Sequence, residues 1–233
     1  MRTRSLGLLL LAAAIATALW LLHTGRMQVP DRFNPWAPLT IDEPLGWLTR
    51  WKLDRTGRDA TACRTLLAAA EWTYVTLPDR EFAPGCGFSN AVQIRSSSVA
   101  VGTAFTLTCP AAVALALWER HVMQPAAQAS FGQPVARIEH FGSYACRNLY
   151  GRKEAPRSRH AAADALDLAG LVLADGRRIR IAQHWERPGD EALFLRELHA
   201  GACRVFDAVL GPDYNAAHRD HFHLERGGAR VCR

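Results

Sequence analysis

Histidine and carboxylate side chains recur at two places in this 233-residue chain with spacings that suit metal chemistry. Ten residues before the C-terminus stands Asp220-His221-Phe222-His223. Read as a β-strand, alternate side chains face the same way. His221 and His223 then share one face, with Cβ atoms roughly 6–7 Å apart. Phe222 and Leu224 share the other face and are expected to pack on the core. Upstream, Ser158, His160 and Asp167 form a second polar cluster. Asp167 lies in the short apolar run 165–170. There Leu166 and Leu168 turn inward and Asp167 turns the other way, between Ala165 and Ala169, whose small side chains leave room around the carboxylate.

A hydrolytic zinc site needs three protein ligands and one open position, and neutral imidazole and carboxylate are suitable ligands. His160, Asp167 and His223 are the expected ligand set for Zn2+. Zinc polarises a scissile carbonyl and lowers the pKa of water to about 7. Asp220, three residues before His223, is the expected general base. His221 is expected to orient a partner or to stabilise an oxyanion. Ser158 reads as a loop hydrogen-bonding residue, since no Gly-x-Ser-x-Gly elbow surrounds it.

The elements that must position these residues read as follows. Residues 63–74 and 111–123 have helical spacing, the second after Pro110, which suits the first turn of a helix. Short strands are expected over 92–101, 135–141 and 165–170. Asp175-Gly176 marks a hairpin between 171–173 and 179–181. Residues 148–159 are polar and basic, with Gly151 and Pro156, and read as a surface loop. Residues 191–210 read as one amphipathic helix, with Leu195, Leu198, Ala202 and Phe206 buried and Gly211-Pro212 ending it. This pattern predicts an α+β domain with an antiparallel sheet.

Hydrophobic residues make up 49% and charged residues 21%, so the bulk of the chain is globular. A net charge of +6 suits a polyanionic partner. No dense Lys/Arg block appears, so nucleic acid is not an expected partner. Six cysteines, at 63, 86, 109, 146, 203 and 232, form no Cys-x-x-Cys pair. Their even number predicts disulfides, with 15 possible pairings.

At the N-terminus Arg2 and Arg4 precede an uncharged run of 17 residues, 6–22. With no convincing cleavage site after it, residues 1–23 are expected to be an uncleaved signal anchor, a cleaved signal peptide being the other reading. This predicts a single-pass inner-membrane protein with its C-terminal domain in the periplasm or envelope. Residues 24–59 form a proline-punctuated linker and lead-in. Its Trp36, with Trp47 and Trp51, would either ride a membrane interface or cap the domain core.

Taken together, these residues carry a family resemblance. Ser158-x-His160-x6-Asp167 joined to Asp220-His221-Phe222-His223 resembles the signature of the lysostaphin / D-Ala-D-Ala metallopeptidase / sonic hedgehog superfamily. More narrowly, residues 60–233 resemble the extensin-like C-terminal domain family of bacteria. The matching pieces include Cys109-Pro110, Gly142-Ser143-Tyr144-x-Cys146-Arg147, Leu210-Gly211-Pro212-x-Tyr214-Asn215 and His218-x-Asp220-His221. The resemblance implies zinc on His160, Asp167 and His223. His218 and His221 match two active-site histidines of penicillin-insensitive murein endopeptidases, and Asp220 matches the acidic base of carboxypeptidase relatives. Arg147 takes the place of an arginine that assists substrate or oxyanion, though here Ala145 and Cys146 separate it from Tyr144. Ala161 stands where many relatives have glycine.

The fold expected is thus α+β, a small antiparallel sheet with covering helices of the hedgehog/D-Ala-D-Ala-peptidase kind, preceded by one transmembrane helix. The function expected is a membrane-anchored zinc metallopeptidase that hydrolyses amide bonds of peptidoglycan stem peptides or cross-links. The alternative is a non-catalytic, zinc-stabilised cell-wall-binding module.

Overall fold

The structure is a computed structural model and describes residues 2–24, 26–27 and 29–233. Residues 1–38 and 39–233 form two compact units. The first contains helix α1 (Arg2–His23) and a single turn at Asp31–Phe33. Among the described residues no helix is long and apolar enough to cross a membrane. The expected signal anchor is therefore withdrawn. With it go the transmembrane helix, the inner-membrane partner and the single-pass inner-membrane localisation.

In the second unit α2 (Thr49–Gly57) and α3 (Ala60–Ala68) lead into strands β1 (Thr73–Thr76), β2 (Arg80–Ala83), β3 (Cys86–Phe88), β4 (Ala91–Ser96) and β5 (Ala100–Thr108). Helix α4 (Cys109–Trp118), a π turn at Glu119–Met123 and α5 (Gln124–Phe131) cross to β6 (Val135–Gly142) and β7 (Ala165–Leu173). After β8 (Arg178–Arg180), α6 (Ile181–His184) and α7 (Asp190–Ala202) come β9 (Ala208–Leu210), β10 (Phe222–Glu225) and β11 (Val231–Cys232).

The sheet is larger than expected and mixed. Nine strands run in the order β1-β4-β5-β6-β7-β10-β9-β11, with β8 paired to β7. β5–β6 and β9–β11 are parallel and the other pairs antiparallel. A parallel pair needs a crossover long enough to turn the chain round, and α4 to α5 supply it between β5 and β6. Helix α4 is apolar on all sides, and all of it but Pro110 is buried. Pro110 occupies the first turn, where its missing N–H costs nothing. The lead-in segment also packs here: Leu39, Ile41 and Leu53 are in the core, and buried Lys52 pairs with Glu43. Trp47 (75% exposed) and Trp51 (45%) do not cap it.

Strand β7 is almost wholly buried and reads as a near-continuous apolar run. Its Gly170 allows β8 to approach, since a Cβ there would lie 2.7 Å from the Ile179 carbonyl oxygen. The predicted helix 191–210 is a correction: α7 stops at Ala202 and β9 follows. The apolar residues beyond Ala202 serve strand pairing with β10 and β11, and Phe206 is buried outside any helix. All six cysteines are paired, as Cys63–Cys109, Cys86–Cys146 and Cys203–Cys232. Loop-closure entropy gives each about 3–4 kcal/mol of stabilisation.

Glu119 is fully buried in the π turn, where it accepts hydrogen bonds from Ser97 and Ser98. Burial pushes its carboxyl up to about 7, against those bonds. Between pH 4.5 and 7 the folded protein thus keeps a proton that the unfolded chain releases, and stability falls as pH rises through that window. Urea midpoints at about pH 5 and about pH 8 should differ between wild type and Glu119→Gln by the equivalent of on the order of 3 kcal/mol, with wild type losing more at the higher pH.

Candidate metal centre

The centre is built on the β7–β10 pair, where antiparallel register sets His223 directly opposite Asp167. Alternation does what the sequence predicted: Phe222, Leu224, Leu166 and Leu168 enter the core, and His223 and Asp167 share the opposite face. His160 arrives on a single 3-10 turn, Arg159–Ala162, capped by the Ser158 hydroxyl, which accepts from the His160 N–H at 3.4 Å. Backbone bonds pin this turn: Ala145 N–H donates to the His160 carbonyl and Thr108 N–H to the Ala163 carbonyl.

The three donors meet in a triangle. His160 Nε2 lies 3.1 Å from Asp167 Oδ1 and 3.1 Å from His223 Nδ1, and His223 Nδ1 lies 2.9 Å from Asp167 Oδ1. All three residues are buried. A tetrahedral zinc with bonds of 2.0–2.1 Å sets its ligand atoms roughly 3.3 Å apart, so this triangle is within a few tenths of an ångström of what such an ion requires.

Two outer contacts fix which nitrogen of each ring faces inward. His160 Nδ1–H donates to the Ser143 carbonyl at 2.5 Å, leaving Nε2 bare. His223 Nε2–H donates to Glu225 Oε2 at 3.1 Å, leaving Nδ1 bare. Two nitrogen lone pairs and a carboxylate oxygen then converge on one point, an arrangement that repels itself unless a cation sits there. In the metal-free protein that cation is a proton. Burial opposes charge on His223, but hydrogen bonds to Asp167 and Glu225, and their charge, outweigh it and raise its pKa to about 9. Burial likewise opposes ionisation of Asp167, yet its contacts with the His160 and His223 rings hold it far below the usual carboxylate range. The residues therefore fit a divalent cation. A second cluster, His199 with Cys203 and Cys232, does not, because its two sulfurs are joined in a disulfide.

The pocket above the triangle holds about 140 Å³ and is walled by Arg147, Tyr150, His218, His221 and Glu225. His221 Nε2 stands 3.5 Å from Asp167 Oδ1, while its Nδ1–H donates to Asp220 Oδ1 at 2.9 Å. Asp220 borders a neighbouring pocket with Glu139 and Arg180 instead. The expected base thus sits one residue behind the site, on His221. Arg147, half-exposed, puts its guanidinium 3.8 Å from Asp167 Oδ2, and the Cys86–Cys146 bridge anchors the residue before it. Buried His218 donates from Nδ1 to Asn215 Oδ1 at 2.8 Å. Burial, with His223 and His221 nearby, lowers its pKa to about 4 and keeps it neutral. A larger depression of about 740 Å³, by Asp79, Arg80 and Asp164, contains none of the triangle residues.

Residues 61–233 match the family model described as Extensin-like protein C-terminus. The chain belongs to that family. No curated protein and no solved structure matches it. For this Extensin-like domain, the sequence names every member of the triangle but assigns no role to Glu225, Tyr150 or Ser143, the last quoted only within a matching motif. Glu225 was legible, since it lies two residues after His223 and alternation puts it on the same face. The Ser143 carbonyl was not, because a backbone acceptor carries no side-chain signal. Tyr150, with φ +53°, accepts from Asn215 Nδ2 at 3.1 Å across a gap of 65 residues.

The His223 cation contributes stability to the metal-free protein that is complete below pH 6.5 and lost as pH rises through about 9. In the chelator-treated full-length chain, Asp167→Asn should lower the His223 pKa from about 9, Glu225 still raising it, followed by NMR titration of the histidine rings.

Proposed function

We propose that the Extensin-like domain is a zinc-dependent peptidase acting on amide bonds of peptidoglycan stem peptides or cross-links. The observation that carries this is the buried His160–Asp167–His223 triangle, with both ring tautomers fixed so that bare nitrogens face one point. His and Asp donors with an adjoining pocket match the ligand chemistry of hydrolytic zinc sites. The spacing Ser158-x-His160-x6-Asp167 with His221-x-His223 supports a place in the lysostaphin / D-Ala-D-Ala metallopeptidase / sonic hedgehog superfamily. Three disulfides suit an oxidising compartment, and a net charge of +6 suits an anionic wall.

Zinc bound there would supply a Lewis acid for the amide carbonyl and would make water a stronger acid. The chain's own residues do the rest. His221 presents Nε2 to the pocket as proton acceptor and later donor, and Asp220 holds its Nδ1–H so that the tautomer is right. This moves the base from Asp220, where the sequence suggested it, to the ring that Asp220 orients. Arg147 offers a half-exposed guanidinium beside the triangle to negative charge developing on the substrate. The neutral His218 next to His221 and His223 adds no competing positive charge.

Purified murein from several wall types, digested with the zinc-loaded full-length chain, should give new muropeptides by mass spectrometry. Chelator should abolish them and added zinc restore them. His221→Ala should keep its zinc and lose about 10²–10⁴-fold in rate. His160→Ala and His223→Ala should lose zinc and product together. Zinc-loaded protein that binds murein but releases nothing from any wall type would overturn the enzyme and leave the binding module.

A further inference from the structure

We infer that Glu225 is a positioning residue for the metal centre, and that position 228 is glycine so that the Glu225 carboxylate can reach His223. This rests on the metal-binding reading of the triangle given above.

Glu225 follows His223 by two residues on β10, so both side chains project from one face. Its Oε2 accepts the His223 Nε2–H at 3.1 Å. That bond selects the ring nitrogen that faces His160 and Asp167, and it fixes the angle of the ring. Its Oε1 lies 3.7 Å from Arg159 Nε, on the residue directly before His160. One carboxylate thus bonds to one histidine of the triangle and pairs with the neighbour of the other. Its side chain is only 14% exposed, so water does not readily replace either contact. Carboxylates that accept the outer N–H of a ligating histidine orient the ring and raise its basicity.

Gly228 gives an independent handle. It does not line the pocket, and its φ lies outside the left-handed region, so its backbone admits a side chain. Yet a Cβ built there would fall 1.8 Å from Glu225 Oε1. The atom in its way is the far end of a flexible side chain, so an alanine at 228 displaces the carboxylate at little cost to the fold. Gly228→Ala is therefore a way to move Glu225 without altering any donor group.

The test is Zn2+ affinity of the full-length chain, by competition with a chromophoric chelator at fixed pH, for wild type, His160→Ala, Glu225→Ala, Glu225→Gln, Gly228→Ala and the double variant Glu225→Ala/Gly228→Ala. Glu225→Ala should bind about 10–100-fold more weakly than wild type. Glu225→Gln, which keeps an uncharged acceptor, should fall between them. Gly228→Ala should also weaken binding, but should add nothing in the Glu225→Ala background. Nitrogen-15 spectra of the zinc-loaded rings should show His223 protonated at Nε2 in wild type, with that signature lost in Glu225→Ala; a purely structural role would leave it unmoved. If Glu225→Ala does not fold, Glu225→Gln and Gly228→Ala carry the comparison. Wild-type affinity in the Glu225 variants, with zinc lost in His160→Ala, overturns this inference and leaves the metal reading standing. Equal weakening by Gly228→Ala with and without Glu225 overturns the role given to Gly228. No zinc uptake by wild type ends both.

Discussion

The register between β7 and β10 is the constraint on which the centre depends. Side chains alternate with a period of two, so a slip of one residue would exchange every inward group for an outward one. His223 and Asp167 would then turn into a core now filled by Phe222, Leu224, Leu166 and Leu168. Burying those four apolar side chains stabilises the pairing by roughly 1.5–3 kcal/mol each. The same packing therefore places a histidine across from a carboxylate at bonding distance. The hydrophobic core is what positions the polar site, and it does so through strand geometry alone.

Electrostatics then decides what the site is for. Three donor atoms about 3 Å apart, two of them ring nitrogens whose protons are committed elsewhere, form a well for positive charge. Without metal the well binds a proton, which is why the His223 ring stays charged at a pH where an ordinary histidine is neutral. On the zinc reading proposed above, metal and proton would compete for the same place, and loading the site would release a proton. Around the well the groups are graded. Ser143 and Glu225 fix ring orientation, Asp220 fixes His221, and Arg147 and His221 line the pocket beside the triangle. The disulfide next to Arg147 and the bonds pinning the 3-10 turn keep this arrangement from relaxing towards solvent.

Several features lay outside what the sequence reading reached, each for a physical reason. The helix expected over 191–210 ended early because apolar residues past Ala202 found strand partners that are remote in sequence. The sheet grew to nine mixed strands because the segments before residue 109 pair onto its edge and cross over through α4. The apolar run near the N-terminus suggested a span, yet among the described residues no helix is long and apolar enough to cross a membrane. Asp220 was given the base's role from its spacing to His223. Spacing does not say which way a residue on a turn points.

What the sequence determined by itself was the chemistry and the faces. Residue type names imidazole and carboxylate donors, and two-residue alternation tells which side of a strand they occupy, since both are local properties. The tertiary structure alone decided that donors 63 residues apart share one well, which cysteines pair, and which outer group turns each ring. Those outcomes depend on how distant segments pack, and a backbone carbonyl such as that of Ser143 leaves no trace in the pattern of side chains. Local periodicity carries orientation along one strand, whereas proximity between strands is a property of the whole fold.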